Sequence, residues 1–330
     1  MKETTALFAA LEDRLRCFGD DARTRRVIDD ACRENAWFAP HDIRRAAEAL
    51  AGEMLRREAL DAWLARYPVP VARPKNVLVV MAGNIPLVGF FDLLCVVASG
   101  HRCLVKPSAK DTVLMRHVVE TLRELDPRVP VSFFDGREEV DAVIATGGET
   151  ANRYFRTRYA GIPSLLRGSR QSAAVLSGRE SAEELAGLSD DIWAYSGLGC
   201  RNVSLVFLPE GYEPKLEIPD VSRKYINNYT QSKALLEMTG TPFVDLGIAT
   251  AVEQREFPSV LSRIAFWRYR TLQEVEAWLA AHDGELQCVV SECVRHGRRV
   301  GFGRAQRPGL DDCPDDRDVV AFLTTLPDRP

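Results

Sequence analysis

The spacing of apolar residues changes character near residue 76. Before residue 67 the apolar side chains recur at helical spacing, as in Leu7, Leu11 and Leu15, and charged residues occupy the other faces. This periodicity predicts a segment of amphipathic helices at residues 1–66. Three prolines in the next nine residues, 67–75, then indicate a connector.

Beyond the connector, short β-branched apolar runs alternate with helical patterns. The runs predict strands at residues 77–81, 102–106, 129–134 and 140–145, and the intervening patterns predict helices at 87–98, 111–125 and 149–158. Such alternation is typical of parallel βαβ units, whose buried strands are apolar along their whole length. It favours a doubly wound domain, in which ligands bind beyond the carboxyl ends of the strands.

The second half of the chain continues in the same α/β manner. Strands are predicted at residues 173–176, 203–208, 243–249 and 286–290, and helices at 181–195, 220–238 and 272–282. The apolar run Val319–Leu326 predicts a last strand, which can pair within the chain or across a subunit interface. The predicted parts are a helical segment at 1–66, a dinucleotide-binding domain at 67–171 joined by those helices, a second α/β domain at 172–310 and a C-terminal strand segment at 311–330.

Composition argues against several classes of protein. The net charge of −4 is unlike that of a nucleic-acid binder. The apolar stretch at 76–100 is broken by Gly83 and Pro86 after about seven residues, whereas a membrane span needs about 20. The N-terminal run contains acidic residues and does not predict a signal peptide. Eight cysteines without a CxxC pair indicate thiols in a reducing, cytoplasmic compartment, and the scattered histidines predict no metal site.

Cys200 is the first candidate for a reacting side chain. It stands in the string GLGCRNVS, between a predicted helix and a predicted strand, and Arg201 follows it. Flanking glycines let the backbone approach a bound group, and a neighbouring cation favours the thiolate. The alternative is a small apolar residue packed at the boundary of an element.

Three further strings follow predicted strands of the first domain. In MAGNIPL, Asn84 can donate its amide to an oxyanion or can cap the following helix. In LVKPS, Lys106 can bind ribose hydroxyls or remain solvated. In ATGGET, Gly147 and Gly148 open a helix, where backbone N–H groups can bind a phosphate, although such turns also close many strands.

The order of these four strings resembles that of the aldehyde dehydrogenase superfamily. Together with the closing string FGRAQRPGL, they more narrowly resemble the LuxC-type acyl-CoA reductases, over roughly residues 70–310. The resemblance implies an aldehyde-dehydrogenase-like α/β fold, with a doubly wound, Rossmann-type cofactor domain and a second α/β catalytic domain.

The resemblance also implies a role for each residue. Cys200 would be the nucleophile, and the Asn84 side chain would form the oxyanion hole together with the Cys200 backbone N–H. Lys106 would hold the adenosine ribose, and the Gly147–Gly148 turn would lie near the helix that meets the pyrophosphate. Glu256, in REFPSV, would bind the nicotinamide ribose, although its spacing to the following Pro differs by one residue from the family motif.

One departure from the family pattern concerns hydrolysis. Hydrolytic aldehyde dehydrogenases carry a Glu that activates water, and here Leu166 falls near that position, in the carboxylate-free stretch Leu165–Arg170. Without such a base, an acyl-Cys intermediate resists water and remains available to a hydride or another thiol.

A second departure concerns the cofactor. Where NAD-preferring relatives often carry a Glu after the Val-Lys-Pro motif, this chain has Ser108 and Lys110. These side chains can accept a 2′-phosphate, which an acidic side chain would repel, so NADPH is expected in preference to NADH. The alternative is that Lys110 is a solvated residue at the start of a helix.

The predicted reaction is the reduction of an acyl-CoA to the aldehyde by NADPH through acyl-Cys200. Two alternatives stay open. The donor can instead be an acyl phosphate or an acyl-carrier-protein thioester. Or the chain can be a non-catalytic acyl-Cys carrier, or a scaffold for a partner acyl-activating enzyme. By resemblance a homo-oligomer is expected, a dimer at the least, with the C-terminal strand as the exchanged element.

Overall fold

In the computed structural model, which describes residues 2–328, the chain divides into two units. The first comprises the residues up to Ser169 and those from Pro308 onward, and the second comprises Arg170–Arg307. This division differs from the predicted one at the C-terminus, because the last residues belong to the first unit and do not form a segment of their own.

Four helices occupy the N-terminal part of the first unit, as the apolar spacing predicts. They are α1 (Lys2–Arg16), α2 (Ala22–Glu34), α3 (Pro40–Met54) and α4 (Arg57–Leu64). Leu7, Leu11 and Leu15 form the buried face of α1. The Asp21 carboxylate caps α2 by accepting the N–H groups of Arg23 and Thr24, which satisfies donors that a helix start leaves unpaired.

A parallel five-stranded sheet forms the centre of the first unit. Its strands are β1 (Asn76–Val80), β2 (Arg102–Lys106), β3 (Val131–Phe133), β4 (Ala142–Thr146) and β5 (Ser164–Arg167), in the order β3-β2-β1-β4-β5. Its helices are α5 (Phe90–Ala98), α6 (Thr112–Leu125) and α7 (Glu149–Arg158). The strand order reverses between β1 and β4, which places a ligand crevice at the carboxyl edge of these strands.

The second unit contains a seven-stranded sheet. Its strands are β6 (Gln171–Val175), β7 (Val203–Pro209), β8 (Val244–Asp245), β9 (Thr250–Glu253), β10 (Arg263–Tyr269), β11 (Leu286–Ser291) and β12 (Arg299–Val300), in the order β12-β11-β6-β7-β10-β9-β8. All neighbours are parallel except β8 and β9. Its helices are α8 (Ala182–Trp193), α9 (Arg223–Thr239) and α10 (Leu272–Ala281). The predicted α/β fold with parallel sheets is confirmed.

The strands of the second unit differ from the predicted ones at several positions. The strand predicted at 243–249 ends at Asp245, because Gly247 adopts a φ of +85° and turns the chain back towards β9. The strands β9, β10 and β12 were not predicted. In β10, arginines near both ends interrupt the apolar pattern.

The strand predicted at Val319–Leu326 is wrong, because the segment forms the helix α11 (Val319–Thr324). Asp318 caps it by accepting the Ala321 N–H at 2.8 Å. Val319, Val320 and Leu323 are buried, and the helix packs against α5 within the first unit. A short apolar run does not by itself distinguish a strand from a buried helix. The strand that was expected to exchange between subunits is therefore not present.

Candidate active site

The two loops that carry Asn84 and Ser108 meet at the carboxyl edge of the first sheet. Val80 of β1 lies opposite Lys106 of β2, and the Met81 N–H donates to the Lys106 carbonyl at 3.0 Å. A Cβ added to Gly83 would lie 2.6 Å from the Ser108 Cβ, so only glycine permits this approach. The structure thus brings together the loops that carry these predicted site residues.

Exposure differs among the candidate residues of these loops. Lys106, the last residue of β2, and Lys110 are exposed, whereas Asn84 and Ser108 are half-buried. The Lys110 carbonyl accepts the Asn35 side-chain amide at 3.1 Å, which fixes the backbone and leaves the ammonium group at the surface. Two lysines beside a hydroxyl give this edge the positive charge that a phosphate requires.

Asp111 binds the backbone of the loop that carries Asn84. It was not predicted as a site residue. Its Oδ2 accepts the Leu87 N–H at 2.8 Å, and burial raises the pKa of this carboxyl well above its usual range. Leu87 has a φ of +58°, which is unfavourable for a residue other than glycine. Backbone strain of this kind concentrates at functional sites.

The Gly147–Gly148 turn is tied to the end of β5. Gly148 precedes α7, and the Gly147 N–H donates to the Arg167 carbonyl at 3.2 Å. The Asn152 amide donates to the carbonyls of Gly147 and Arg167 at 3.1 and 2.9 Å. The turn is therefore fixed before any ligand binds.

A cavity of about 470 Å³ opens beside this turn. It is lined by Glu149, Asn152, Arg153, Arg156, Gly168 and Ser169. Arg153 and Arg156 were not predicted as site residues, because charged residues on a helix usually form its solvated face. Their positive charge suits an anionic ligand, although Arg153 also pairs with Glu149 at 3.2 Å.

In the second unit, Cys200 is exposed in the loop between α8 and β7. Of the other cysteines in residues 2–328, Cys17 is also exposed, whereas Cys95, Cys103 and Cys288 are buried. Burial raises the pKa of the Cys95 and Cys103 thiols, which makes these two poor nucleophiles.

The backbone before Cys200 is strained. Tyr195, Ser196 and Gly197 have φ values of 55°, 54° and 68°. Only glycine adopts this region without steric cost, so two side-chain-bearing residues are held there by their surroundings. Ser196 Oγ, for example, accepts the Ser222 N–H at 3.0 Å.

Asn202 closes the Cys200 loop. Its side-chain oxygen accepts the Gly199 N–H at 2.7 Å, and its amide donates to the carbonyls of Asp191, Ile192 and Ala194. It thereby satisfies carbonyls at the end of α8, which a helix leaves unpaired. The buried Ser172 hydroxyl donates to the Cys200 carbonyl at 2.9 Å. Asn202 stands in the string GLGCRNVS, but neighbouring residues alone do not reveal these partners.

Glu256 lies away from the Cys200 loop within the second unit. It is an exposed residue, three positions beyond the carboxyl end of β9, whereas Cys200 precedes the amino end of β7. Because β7 and β9 both run parallel to β10, Glu256 lies beyond the carboxyl ends of these strands and Cys200 lies beyond their amino ends. The assignment of Glu256 by resemblance does not fit this geometry.

No helix in residues 2–328 is both long and apolar enough to cross a membrane. Within the same range, no three His, Cys, Asp or Glu residues group as metal ligands.

The sequence of the chain is similar to that of known acyl reductases. A family model described as acyl-CoA reductase (LuxC) matches residues 33–232. A long-chain acyl-protein thioester reductase of Aliivibrio fischeri is 26% identical over 169 residues, which is 45% of this chain and 35% of that protein. The match thus spans about a third of that relative.

Solved structures share the fold at low sequence identity. An acetylating aldehyde dehydrogenase from Geobacillus thermoglucosidasius matches with a TM-score of 0.64 and 12% identity, over 94% of this chain and 85% of the other. An aldehyde dehydrogenase of Mycobacterium tuberculosis complexed with NAD+ matches with a TM-score of 0.59 and 14% identity, over 89% and 73%. The aldehyde-dehydrogenase-like fold that the motifs imply is thereby confirmed.

Proposed function

The chain belongs to the LuxC family of acyl-CoA reductases, and on this basis we propose that it reduces an acyl-CoA thioester to the aldehyde, with Cys200 as nucleophile and NADPH as reductant. The observation that carries the proposal is the exposure of Cys200 in a strained loop that Asn202 closes. The loop presents a thiol to solvent on a backbone that is fixed in advance, as a nucleophile requires.

The proposed reaction has two steps on the cysteine. The Cys200 thiolate attacks the thioester carbonyl, the C–S bond to coenzyme A breaks, and the coenzyme leaves as its thiolate. Hydride addition to the acyl carbon of acyl-Cys200 gives a thiohemiacetal anion, and its collapse releases the aldehyde and regenerates the thiolate. We propose that the Asn84 amide and the Cys200 N–H stabilise the oxyanion of each step, in agreement with the family resemblance.

The residues at the carboxyl edge of the first sheet fit an anionic dinucleotide. Lys106, Ser108 and Lys110 would hold the adenosine ribose and its 2′-phosphate, and the Gly147–Gly148 turn would meet the pyrophosphate. Arg153 and Arg156, which line the neighbouring cavity, add positive charge there. When bound, NADPH supplies the hydride. Glu256 is not part of this proposal.

The stretch that replaces the water-activating Glu supports reduction over hydrolysis. Leu166 is half-buried and packs against the apolar cluster around Leu78 and Val143, and the next residue, Arg167, is a buried cation. No carboxylate stands between Leu165 and Arg170. Acyl-Cys200 would therefore have no base from this stretch to direct water at it.

A second donor is favoured by the Aliivibrio fischeri relative, whose name is acyl-protein thioester reductase. The same cysteine chemistry serves an acyl group delivered on a protein thiol by a partner acyl-activating enzyme. In that case the protein donor acylates Cys200 and acyl-CoA does not.

Mass spectrometry of the intact protein tests the proposal. The protein is mixed with acyl-CoAs of several chain lengths, without NADPH, and a single acyl adduct is expected that NADPH discharges as aldehyde. Cys200→Ala should form no adduct, whereas Cys17→Ala, which removes the other exposed thiol, should behave like the native protein. An adduct that persists in Cys200→Ala excludes the proposed nucleophile. Acylation only by an acyl-protein donor replaces the first candidate with the second.

A further inference from the structure

We propose that Asp191 is a positioning residue for Cys200. Asp191 fixes residues 303–305, the Ala305 carbonyl holds the Arg201 side chain, and Arg201 anchors the loop that carries the thiol. The inference rests on the proposed role of Cys200 and concerns a residue outside the strings that carry the family resemblance.

Asp191 is buried in α8 and binds the backbone of a distant segment. Its Oδ2 accepts the Gly303 N–H at 2.7 Å, and its Oδ1 accepts the Ala305 N–H at 2.9 Å. Burial raises the pKa of this carboxyl to about 7, and the two backbone donors act in the opposite direction. A carboxylate with only 1% of its surface exposed is costly unless its oxygens are hydrogen-bonded, and here both are.

The same face of α8 contacts this segment directly. Gly187 lies four residues before Asp191, one helical turn away. A Cβ at Gly187 would lie 2.8 Å from the Gly303 nitrogen and 2.9 Å from the Phe302 carbonyl carbon. Residues 301–307 form no helix or strand, so their conformation depends on contacts such as these.

Residues 301–307 in turn contact the loop that carries Cys200. The Arg201 Nε donates to the Ala305 carbonyl, and Arg201 interacts electrostatically with Asp191. Asn202 binds the end of α8 independently, through three carbonyls. Arg201 and Asn202, the two residues that follow Cys200, therefore make separate contacts. The contact of Arg201 with the Ala305 carbonyl depends on Asp191.

Asp191→Asn tests this role with little change in shape. An amide accepts only one of the two N–H groups and directs its own NH2 at the other, so the 303–305 segment should loosen. The matched control is Glu183→Gln on the same helix, whose side chain is exposed. We expect kcat to fall by about 10-fold in Asp191→Asn while KM changes little, because small displacements of a reacting group lower the rate more than binding.

The decisive measurement is the rate at which iodoacetamide alkylates Cys200, followed by peptide mass spectrometry. Asp191→Asn and Arg201→Gln should each lower this rate, and the double variant should be no slower than Arg201→Gln alone, because both act through one contact. The idea is overturned if the two effects simply add, or if Asp191→Asn lowers only the melting temperature. If Asp191→Asn does not fold, a native alkylation rate in Arg201→Gln overturns it equally.

The alkylation assay also separates this inference from the proposed function. Native protein that forms no acyl adduct would refute the acyl transfer chemistry. The dependence of Cys200 alkylation on Asp191 and Arg201 would still be measured in that case.

Discussion

The guanidinium of Arg167, at the end of β5, forms an ion pair with the carboxylate of Asp92 in α5. Only 5% and 4% of these side chains are exposed. Arg167 also donates to the Thr146 hydroxyl, at 2.8 Å from Nη2, at the end of β4. The pair therefore joins three elements next to the Gly147–Gly148 turn.

Removing one partner of this pair should destabilise the first unit strongly. Arg167→Leu leaves the Asp92 carboxylate buried without its cation, and losses of this kind cost about 3–5 kcal/mol of unfolding free energy. Replacing both residues by leucine should cost less, because no uncompensated charge remains. Urea denaturation measures both effects. The control is Arg153→Leu, which removes an exposed pair with Glu149. A loss in Arg167→Leu no larger than in this control would contradict the expectation.

The same ion pair shows why β5 was not predicted. Only Leu165 and Leu166 are apolar in this strand, and the buried arginine makes the pattern look like a surface segment. Its partner lies 75 residues earlier in the chain. By contrast, the central strands could be predicted because a strand buried on both faces, such as Val77–Val79, is apolar along its length.

The site residues also differ in whether the sequence could reveal them. Asn84, Lys106, the Gly147–Gly148 turn and Cys200 stand in short strings, so a resemblance could assign them. Asp111, Asp191 and Asn202 act through backbone groups that lie close only in the folded chain, and the distance between Asp191 and Gly303 is 112 residues. Glu256 was assigned by resemblance to a motif whose spacing it misses by one residue, and the sheet topology places it beyond the carboxyl ends of the strands, whereas Cys200 precedes their amino ends.

Gly83→Ala should destabilise the Asn84 loop. The added Cβ meets the Ser108 Cβ at 2.6 Å and the Ser108 Oγ at 2.8 Å, and overpacking of this kind costs about 1–3 kcal/mol. Ser108→Gly removes both clashing atoms and should restore most of the stability in the double variant. Gly148→Ala is the control, since a Cβ there meets nothing within 4 Å. Thermal unfolding measures all four proteins. A native melting temperature in Gly83→Ala would show that the loop shifts at no cost.

Lys110→Glu should change the cofactor preference. The exposed ammonium group is proposed to bind the 2′-phosphate, and a hydrogen bond to a charged group contributes about 1.5–3 kcal/mol, so kcat/KM with NADPH should fall by about 10-fold or more. The value with NADH, which lacks that phosphate, should change much less. Arg102→Glu makes the same charge reversal and serves as the control. Arg102 is exposed at the amino end of β2, whereas Lys110 follows the carboxyl end of this strand. An equal loss with both cofactors would argue that Lys110 does not contact the 2′-phosphate.

The first unit should lose stability below pH 6.5 because of His101. This ring is buried, its Nδ1 accepts the Lys75 N–H at 3.0 Å, and its Nε2 lies 3.0 Å from the Leu323 carbonyl of α11. The ring is therefore neutral, with the proton on Nε2, and burial lowers its pKa. In the unfolded chain the ring takes up a proton near its ordinary pKa of about 6.5, whereas in the folded chain it does so only at lower pH. Below that pH the unfolded state thus binds more protons than the folded state does. The unfolding free energy therefore decreases as the pH falls.

His101→Gln isolates this contribution, because glutamine does not titrate. We expect the variant to be less stable than the native protein at pH 8 and to lose less stability between pH 7 and pH 5. Urea denaturation at each pH gives the two slopes, and the other histidines contribute equally to both proteins. An unchanged slope in His101→Gln would mean that the contact between this ring and α11 survives protonation.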